Sequence, residues 1–166
     1  MAIATEYVST RQGTALDCIK RIVGAKGWST DSDTVAPHMA DHRGIFLLEI
    51  AQCSPNRTAR RLSLTVVKIG DKEDIAVVPQ GGNTGLVEAG IPKGAAVLRS
   101  LSRLDRIRGL DPLDYTITVE AGCILADLQK AAEVVDRSFP LSLGSEGGWQ
   151  VGGNLSTNAG GINVLR

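Results

Sequence analysis

Two glycine-rich runs constrain this chain more than any other feature of its sequence. Of the 19 glycines, five lie between Gly81 and Gly94 and seven between Gly144 and Gly161, so twelve fall in two short stretches. Because ordering glycine costs more backbone entropy than ordering any other residue, such runs indicate backbone that turns tightly or approaches something closely. We therefore expect the two runs to carry the binding function of the chain.

The first run has the pattern of an anion-binding loop. It follows an apolar, β-branched stretch, residues 75–78, that predicts a buried strand ended by Pro79. Successive backbone N–H groups from Gly81 to Gly85 could then converge on a phosphate without any charged side chain. Asn83 and Thr84 add side-chain donors for phosphate or ribose oxygens. A glycine-rich hairpin is the alternative interpretation, and spacing alone does not separate the two.

The second run, residues 140–161, has the composition of a hydrogen-bonding surface. It contains too few large apolar residues to build a core of its own, and nearly all its polar residues are small or carry amides. A flexible linker is also rich in glycine and serine. A linker does not usually carry Trp149 and regularly placed apolar residues, however, so we favour a surface for a flat, polar, phosphate-bearing ligand.

The composition argues against several classes of partner. The 166 residues suffice for one domain with its own core, or for part of a larger protein. Eighteen basic and eighteen acidic residues give no net charge, which argues against nucleic acid or an acidic membrane surface as a partner. No apolar stretch is long enough to span a bilayer, and the N-terminus lacks a secretory signal pattern, so we expect a cytoplasmic protein without a membrane partner.

Cysteine and histidine are too scattered to predict a metal site. Cys18, Cys53 and Cys123 are odd in number and unclustered, which indicates free thiols in a reducing compartment. We expect Cys123 to fill a small buried space. His38 and His42 lie four residues apart, but no further set of ligand-forming residues stands beside them.

The rest of the chain mixes helical and strand patterns, which predicts an α/β fold. Leu16, Ile19 and Val23 share one face of a predicted helix at residues 14–26, and Asp31-Ser32-Asp33 can cap a short helix that runs through Met39. We also expect a helix at residues 124–135, strands at residues 45–50, 75–78, 95–99 and 115–120, and a turn at Asp111-Pro112. No Gly-x-Gly-x-x-Gly follows a first strand, and there is no Gly-Lys-Ser/Thr phosphate loop. Nucleotide-binding folds of those two kinds are therefore disfavoured.

Four ordered motifs resemble one family. Residues 77–87, Val-Val-Pro-Gln-Gly-Gly-Asn-Thr-Gly-Leu-Val, are similar to the pyrophosphate loop of the vanillyl-alcohol-oxidase-type, or PCMH-type, FAD-binding fold. The likeness is strongest to the branch of D-lactate and D-2-hydroxyglutarate dehydrogenases. Residues 118–123, 139–145 and 152–161 fit the same branch in the same order, so the resemblance covers about residues 28–166. Residues 51–64 depart from it, since a basic Ser54–Ser63 stretch replaces the acidic helix usual in relatives.

The resemblance implies a cofactor and the residues that bind it. It implies a helical extension at residues 1–44, followed by a PCMH-type FAD-binding domain at residues 45–166 that is incomplete at its C-terminus. It also implies non-covalent FAD, because Asn83 stands where some relatives carry a linking histidine. The implied FAD contacts are Pro79, Gln80, Gly81, Gly82, Asn83, Thr84, Gly85 and Leu86 at the pyrophosphate, Pro140, Leu143, Gly144 and Ser145 at the adenine and ribose, and Gly152, Gly153, Asn154, Thr157, Asn158, Ala159 and Gly161 toward the diphosphate and flavin.

The reaction implied by the resemblance is oxidation of a D-2-hydroxy acid to a 2-oxo acid, with hydride transfer to FAD. In the family the catalytic histidines, metal ligands and carboxylate-binding arginines lie downstream of the stretch matched here. We therefore assign no catalytic residue and no metal ligand to this chain, and expect it to be inactive by itself. Two alternatives stay open: a truncated, non-catalytic flavin-binding remnant, and a structural domain whose glycine loops bind no nucleotide. The electron acceptor is left open by the sequence.

Overall fold

The computed structural model describes residues 10–39, 51–53, 60–86, 89–92, 96–144 and 147–161. They divide into two compact units, Met1–Ser100 and Leu101–Arg166. The predicted boundary between residues 44 and 45, and the predicted strand at residues 45–50, lie outside the described residues. Helices and strands alternate as the sequence predicts, and no helix in the described ranges is both long and apolar enough to cross a membrane.

The first unit combines helices with a parallel sheet. Its elements are α1 (Thr10–Val23), a short 3-10 helix (Ala25–Gly27), α2 (Ser32–Met39), β1 (Ala51–Cys53), α3 (Arg60–Lys72), β2 (Ala76–Gln80) and β3 (Ala96–Ser100). Helix α1 begins four residues before its predicted start at residue 14 and ends at Val23, three residues before its predicted end at residue 26. Gly24 has a left-handed φ of 73° and donates its N–H to the Lys20 carbonyl at 2.9 Å, which terminates the helix.

Strand β3 lies at the centre of the parallel sheet, in the order β1-β3-β2. Every residue of β3 is buried, and its successive side chains point to opposite faces. Val97 joins the cluster that contains Ile19 of α1 and Val66 of α3, whereas Leu98 joins Val35 of α2. The sheet is thus covered on both faces, as parallel sheets require.

Two predictions about β2 were wrong. Pro79 does not end the strand, because β2 continues to Gln80 and pairs with β3 along its whole length. At the edge of the described sheet β2 has one partner, so alternate N–H groups make no ladder bond and a proline fits there. The strand is also not uniformly buried. Its valines are half-buried and only Gln80 is fully buried.

Asp31 caps α2 as the sequence predicts. Its Oδ2 accepts hydrogen bonds from the Thr34 N–H at 3.0 Å and the Thr34 hydroxyl at 2.6 Å. The hydrogen bond from the Thr34 side chain, followed by that from its backbone, lowers the pKa of the Asp31 carboxyl. The charged form of Asp31 is therefore favoured in the folded protein.

We expect Asp31→Ala to lower the melting temperature at neutral pH by a few degrees, because α2 loses its cap. Asp31→Asn keeps a capping oxygen without the charge, so its deficit should be smaller. A lowered folded-state pKa stabilises the protein above the unfolded pKa, and this benefit is lost as the pH falls through the folded pKa. The gap between wild type and Asp31→Asn should accordingly close on acidification in a thermal-melt series. A gap that widened on acidification would contradict this assignment.

The second unit contains an antiparallel hairpin and two helices: β4 (Ile107–Asp111), β5 (Thr116–Val119), α4 (Leu125–Glu133) and α5 (Val151–Ser156). Asp111 forms the predicted turn by accepting the N–H groups of Leu113 and Asp114 on its Oδ1, at 2.9 and 3.1 Å. Tyr115 was wrongly assigned to the strand. It lies in the turn with φ of 54° and is 77% exposed.

The core of the second unit is built around Cys123. This residue is 2% exposed and packs with Leu128 and Val151, so its predicted role as a buried filler is confirmed. Burial also raises the pKa of its thiol, which leaves it protonated and inert. Helix α4 is shorter than predicted, since Ile124 is its N-cap and Val135 lies beyond its end.

Candidate functional site

The two glycine-rich runs lie in different units, the first after β2 and the second around α5, and each is a distinct surface. Neither described stretch, residues 79–86 or residues 147–161, contains an ionisable side chain. Any phosphate held there is therefore held by N–H groups and amide or hydroxyl side chains rather than by charge pairing.

Gln80 anchors the start of the first loop. The residue is 2% exposed, and its side-chain amide donates to the His38 carbonyl and to the Gly90 carbonyl, both at 2.9 Å. Its Oε1 lies 2.6 Å from Nδ1 of His38. Gln80 was predicted as a cofactor contact, but its side chain is occupied by these protein partners, which leaves its backbone as the group for a ligand.

Asn83 shapes the middle of the first loop. It has a left-handed φ of 53°, a conformation that asparagine tolerates better than most residues, and its Nδ2 donates to the Pro37 carbonyl at 3.3 Å. The backbone N–H groups of Gly82, Thr84 and Gly85 donate to no backbone carbonyl in the described part of the chain. Backbone amides without a backbone partner, beside a left-handed residue, offer hydrogen-bond donors to an anion.

Helix α5 was not anticipated by the sequence analysis. Its Gly152-Gly153 pair has low intrinsic helix propensity, so propensity argues against a helix at this position. Contacts within the second unit outweigh this low helix propensity. The Val151 N–H donates to the Cys123 carbonyl at 2.9 Å, the Gly152 N–H donates to the Ala121 carbonyl at 2.8 Å, and Val151 enters the core.

Three predicted cofactor contacts form the C-terminal cap of α5. Asn158 has a left-handed φ of 51°, and the Ala159 N–H donates to the Asn154 carbonyl at 2.9 Å, which together form a Schellman motif. The Thr157 hydroxyl donates back to the Gly153 carbonyl at 2.9 Å. These residues therefore fix the helix end, and the Thr157 oxygen retains lone pairs for a further donor.

Several buried polar atoms in α5 and in the two residues before it have no hydrogen-bond partner in the described structure. Asn154 is 4% exposed, yet neither its Oδ1 nor its Nδ2 makes a hydrogen bond within the described structure. The Trp149 indole N–H and the Gln150 Oε1 are likewise buried and unbonded there. Such atoms normally have a partner, because leaving a buried polar group unsatisfied costs about 1–3 kcal/mol. The unbonded atoms of Trp149, Gln150 and Asn154 are therefore candidates for hydrogen bonds to a polar ligand.

Trp149 and Gln150 were not among the predicted contacts. The sequence carried one usable signal, since both residues immediately precede the glycine pair of the second run. The Gln150 side chain also donates to the Ser102 hydroxyl at 3.3 Å, which orients its Oε1.

The glycines of the second run serve two different purposes. A Cβ at Gly152 would lie 2.7 Å from the Ala121 Cβ and 2.8 Å from its carbonyl oxygen, whereas a Cβ at Gly153 would meet nothing within 4 Å. Gly161 has φ of 59°, and a Cβ there would overlap the Ser142 carbonyl oxygen. Gly152 and Gly161 are thus needed for packing, and Gly153 leaves an open approach to the helix backbone. Among the described residues, no close contact explains why positions 144, 147 and 153 are glycine, because a Cβ there would meet nothing within 4 Å.

The predicted adenine-side residues lie in the segment after α4. Pro140 lines an apolar cavity of about 270 Å³ together with Phe139 and Val135. Leu143 lies beside Gly161, where an added Cβ would approach the leucine Cδ2 to 2.9 Å. Gly144 is exposed with open space above it, and Ser145 lies outside the described residues.

Glu120, in the matched motif 118–123, faces the hairpin. Its Oε1 accepts a hydrogen bond from Nε of Arg108 at 3.1 Å, and its Oε2 accepts the Arg106 N–H at 3.2 Å. The Arg108 side chain is the main cause of the lowered pKa of the Glu120 carboxyl. Glu120 therefore fixes the base of β4 and β5. No cluster of His, Cys, Asp and Glu that could hold a metal ion occurs in the described ranges.

Each run thus offers donors, backbone amides in the first and amide or indole N–H groups in the second, that suit a phosphate-bearing ligand. The model of the FAD binding domain family matches residues 63–166. This chain belongs to that family, and FAD as its cofactor is confirmed.

Curated relatives confirm the narrower resemblance to hydroxy-acid dehydrogenases. The chain is 36% identical over 151 residues to a rice protein (Oryza sativa subsp. indica) named "Probable D-2-hydroxyglutarate dehydrogenase, mitochondrial", an alignment covering 89% of this chain and 26% of the relative. It is 42% identical over 101 residues to the D-2-hydroxyglutarate–pyruvate transhydrogenase of Saccharomyces cerevisiae, covering 61% and 20% of the two chains. The chain thus spans about a quarter of the length of the rice relative.

Solved structures confirm the PCMH-type fold. An alkyldihydroxyacetonephosphate synthase superposes with a TM-score of 0.75 at 17% identity, covering 90% of this chain and 30% of the other. A p-cresol methylhydroxylase superposes with a TM-score of 0.69 at 17% identity, covering 89% and 29%.

The described residues fit FAD. Unbonded amides at Gly82, Thr84 and Gly85 suit a diphosphate, since they offer donors to an anion. The unbonded amide of Asn154 and the indole N–H of Trp149 suit further polar atoms of the cofactor, because they offer donors and an acceptor that the protein itself does not use.

Proposed function

We propose that this chain is the FAD-binding part of a flavin-dependent dehydrogenase that oxidises a D-2-hydroxy acid, of the D-lactate or D-2-hydroxyglutarate type, to a 2-oxo acid. Its membership of the FAD binding domain family and its similarity to the rice and yeast relatives support this function. The alternative is a flavin-binding protein without catalytic activity. The cytoplasmic location, and the absence of nucleic-acid and membrane partners, remain predictions.

The observation that carries the proposal is the unbonded side-chain amide of Asn154, 4% exposed, on the helix formed by the second glycine run. A buried amide without hydrogen-bond partners destabilises a fold, so its presence is explained if a bound cofactor supplies those partners. Flavin, when bound, accepts the two electrons of a hydroxy-acid oxidation. The chain's own residues bind and orient it: Gly82, Thr84 and Gly85 offer N–H groups, and Asn154 offers an amide.

We further propose that FAD is held without a covalent bond. No histidine, cysteine or tyrosine lies in residues 79–86 or 147–161, and the side chain of Asn83 is directed to Pro37. Acid precipitation of the flavin-loaded protein should therefore leave all the flavin in the supernatant. Flavin that stays with the precipitate would contradict this statement.

The proposed activity is tested by anaerobic mixing with D-2-hydroxyglutarate, D-lactate and the two L-enantiomers, while flavin absorbance is followed, on this chain by itself and on any longer product of the same gene. Because the family's catalytic residues lie downstream of the matched stretch, we expect no bleaching of this chain by itself, and bleaching of a longer product that carries those residues by one D-acid and by neither L-enantiomer. A longer product whose bound flavin none of the acids bleaches, although dithionite does, would favour the non-catalytic alternative. Bleaching by an L-acid alone would overturn the assigned substrate class.

A further inference from the structure

The C-terminal turn of α2 and the first glycine loop satisfy each other's hydrogen bonds. The last carbonyls of a helix have no intrahelical donor. In α2 the Pro37 carbonyl accepts from the Asn83 side chain at 3.3 Å, and the His38 carbonyl accepts from the Gln80 side chain at 2.9 Å. The loop is therefore fastened to α2 at two points, three residues apart.

These contacts also determine that the Nδ1 atom of the His38 ring carries a proton. Both Gln80 Nε2–H bonds are used, because Nε2 donates to the His38 carbonyl and to the Gly90 carbonyl. The atom facing the imidazole is thus Oε1, which only accepts hydrogen bonds. Nδ1 of His38, 2.6 Å away, must carry the proton and donate. His38 is consequently a hydrogen-bond donor to the buried Gln80.

We propose that His38 is a positioning residue for the cofactor: through Gln80 it holds the first glycine loop in the shape that receives the FAD diphosphate. This inference rests on the proposed function. A glycine loop left free would lose much backbone entropy on binding a ligand, so fastening it beforehand raises affinity. Gln80 and Asn83 are the fastened residues, and the unbonded N–H groups of Gly82, Thr84 and Gly85 lie between and just beyond them.

The test compares His38→Leu with His38→Asn. Leucine removes the donor and leaves Oε1 of the buried Gln80 without a partner, whereas the asparagine amide can place an N–H near the former Nδ1 position. Leucine has a higher helix propensity than asparagine, so if His38 only stabilised the helix α2, the asparagine variant would show the larger effect. The two variants therefore separate hydrogen bonding from helix stability.

Two measurements are made on wild type and both variants: amide hydrogen exchange of residues 80–86 without FAD, and the dissociation constant for added FAD. In His38→Leu we expect faster exchange in the loop and roughly tenfold weaker FAD binding. In His38→Asn both quantities should stay within about twofold of wild type.

The outcomes separate this inference from the proposed function. Unchanged exchange and affinity in His38→Leu would overturn the positioning role, and so would equal damage in both variants, which would indicate ring packing instead. If wild type binds no FAD but loop exchange still depends on the His38 donor, the fastening of the loop is upheld and the proposed function fails.

Discussion

Asn154→Leu should weaken FAD binding by about 10- to 100-fold while the cofactor-free protein stays as stable as wild type or becomes more stable. The side chain is 4% exposed, and neither of its polar atoms has a partner among the described residues. Leucine has the same number of side-chain heavy atoms, branched at the same carbon, and it removes two buried polar atoms that make no hydrogen bond in the described structure. If FAD supplies the hydrogen-bond partners that Asn154 lacks, the leucine variant cannot form those bonds and binds FAD more weakly.

Thermal unfolding without FAD and a fluorescence titration with FAD measure the two effects separately. Leu155→Asn is the matched control, since Leu155 is the next helical residue, is 79% exposed and undergoes the reverse exchange. It should change neither quantity appreciably. Wild-type FAD affinity in Asn154→Leu would show that Asn154 takes no part in the site. A large loss of stability without FAD would show that its amide has an internal structural role.

Gly152→Ala should destabilise the second unit by about 3 kcal/mol, whereas Gly153→Ala should stabilise it by about 0.5–1 kcal/mol. The two glycines are adjacent in α5 but differ in surroundings. A methyl group at residue 152 would lie 2.7 Å from the Ala121 Cβ and 2.8 Å from the Ala121 carbonyl oxygen, and neither atom belongs to a flexible side-chain end. A methyl group at residue 153 would meet nothing within 4 Å, so only its better helix propensity counts.

The same pair distinguishes packing from cofactor contact. Gly153→Ala keeps the fold, so a loss of FAD affinity in this variant would place the cofactor against the open face of α5. In urea unfolding, the prediction is contradicted if Gly152→Ala and Gly153→Ala have equal midpoints, or if their order is reversed.

Elements with strong local signals were predictable from the sequence. Helix α1 was predicted from the spacing of Leu16, Ile19 and Val23, and α2 from its capping residue Asp31. The exposed and half-buried residues of β5 alternate as expected. In each case the signal lies within a few neighbouring residues, so no knowledge of distant contacts was needed.

Elements that depend on distant contacts were not predictable. Helix α5 contains two glycines and exists because Gly152 and Val151 bond to carbonyls about thirty residues earlier, at Ala121 and Cys123. Pro79 is tolerated inside β2 because that strand lies at the edge of the described sheet. Neither the formation of α5 nor the presence of Pro79 inside β2 can be inferred from residue propensity, because both depend on which segments pack together in the fold.

The glycine runs predict where the site lies, but they do not show what the individual side chains do. Gln80 and Asn83 were expected to face the cofactor, and their side chains instead bond to α2. Trp149 and Gln150, which were not expected to contribute, carry buried unbonded atoms. A sequence shows which residues can form hydrogen bonds, whereas only the fold shows which of those bonds the protein already makes.

The central claim, that the two glycine runs bind FAD, is tested most directly by the visible absorption of the purified chain before and after denaturation, followed by titration of the cofactor-free protein with FAD. We predict a flavin spectrum that changes on denaturation, release of about one FAD per chain and saturable rebinding. A colourless, folded, monodisperse protein that does not bind added FAD would contradict the account.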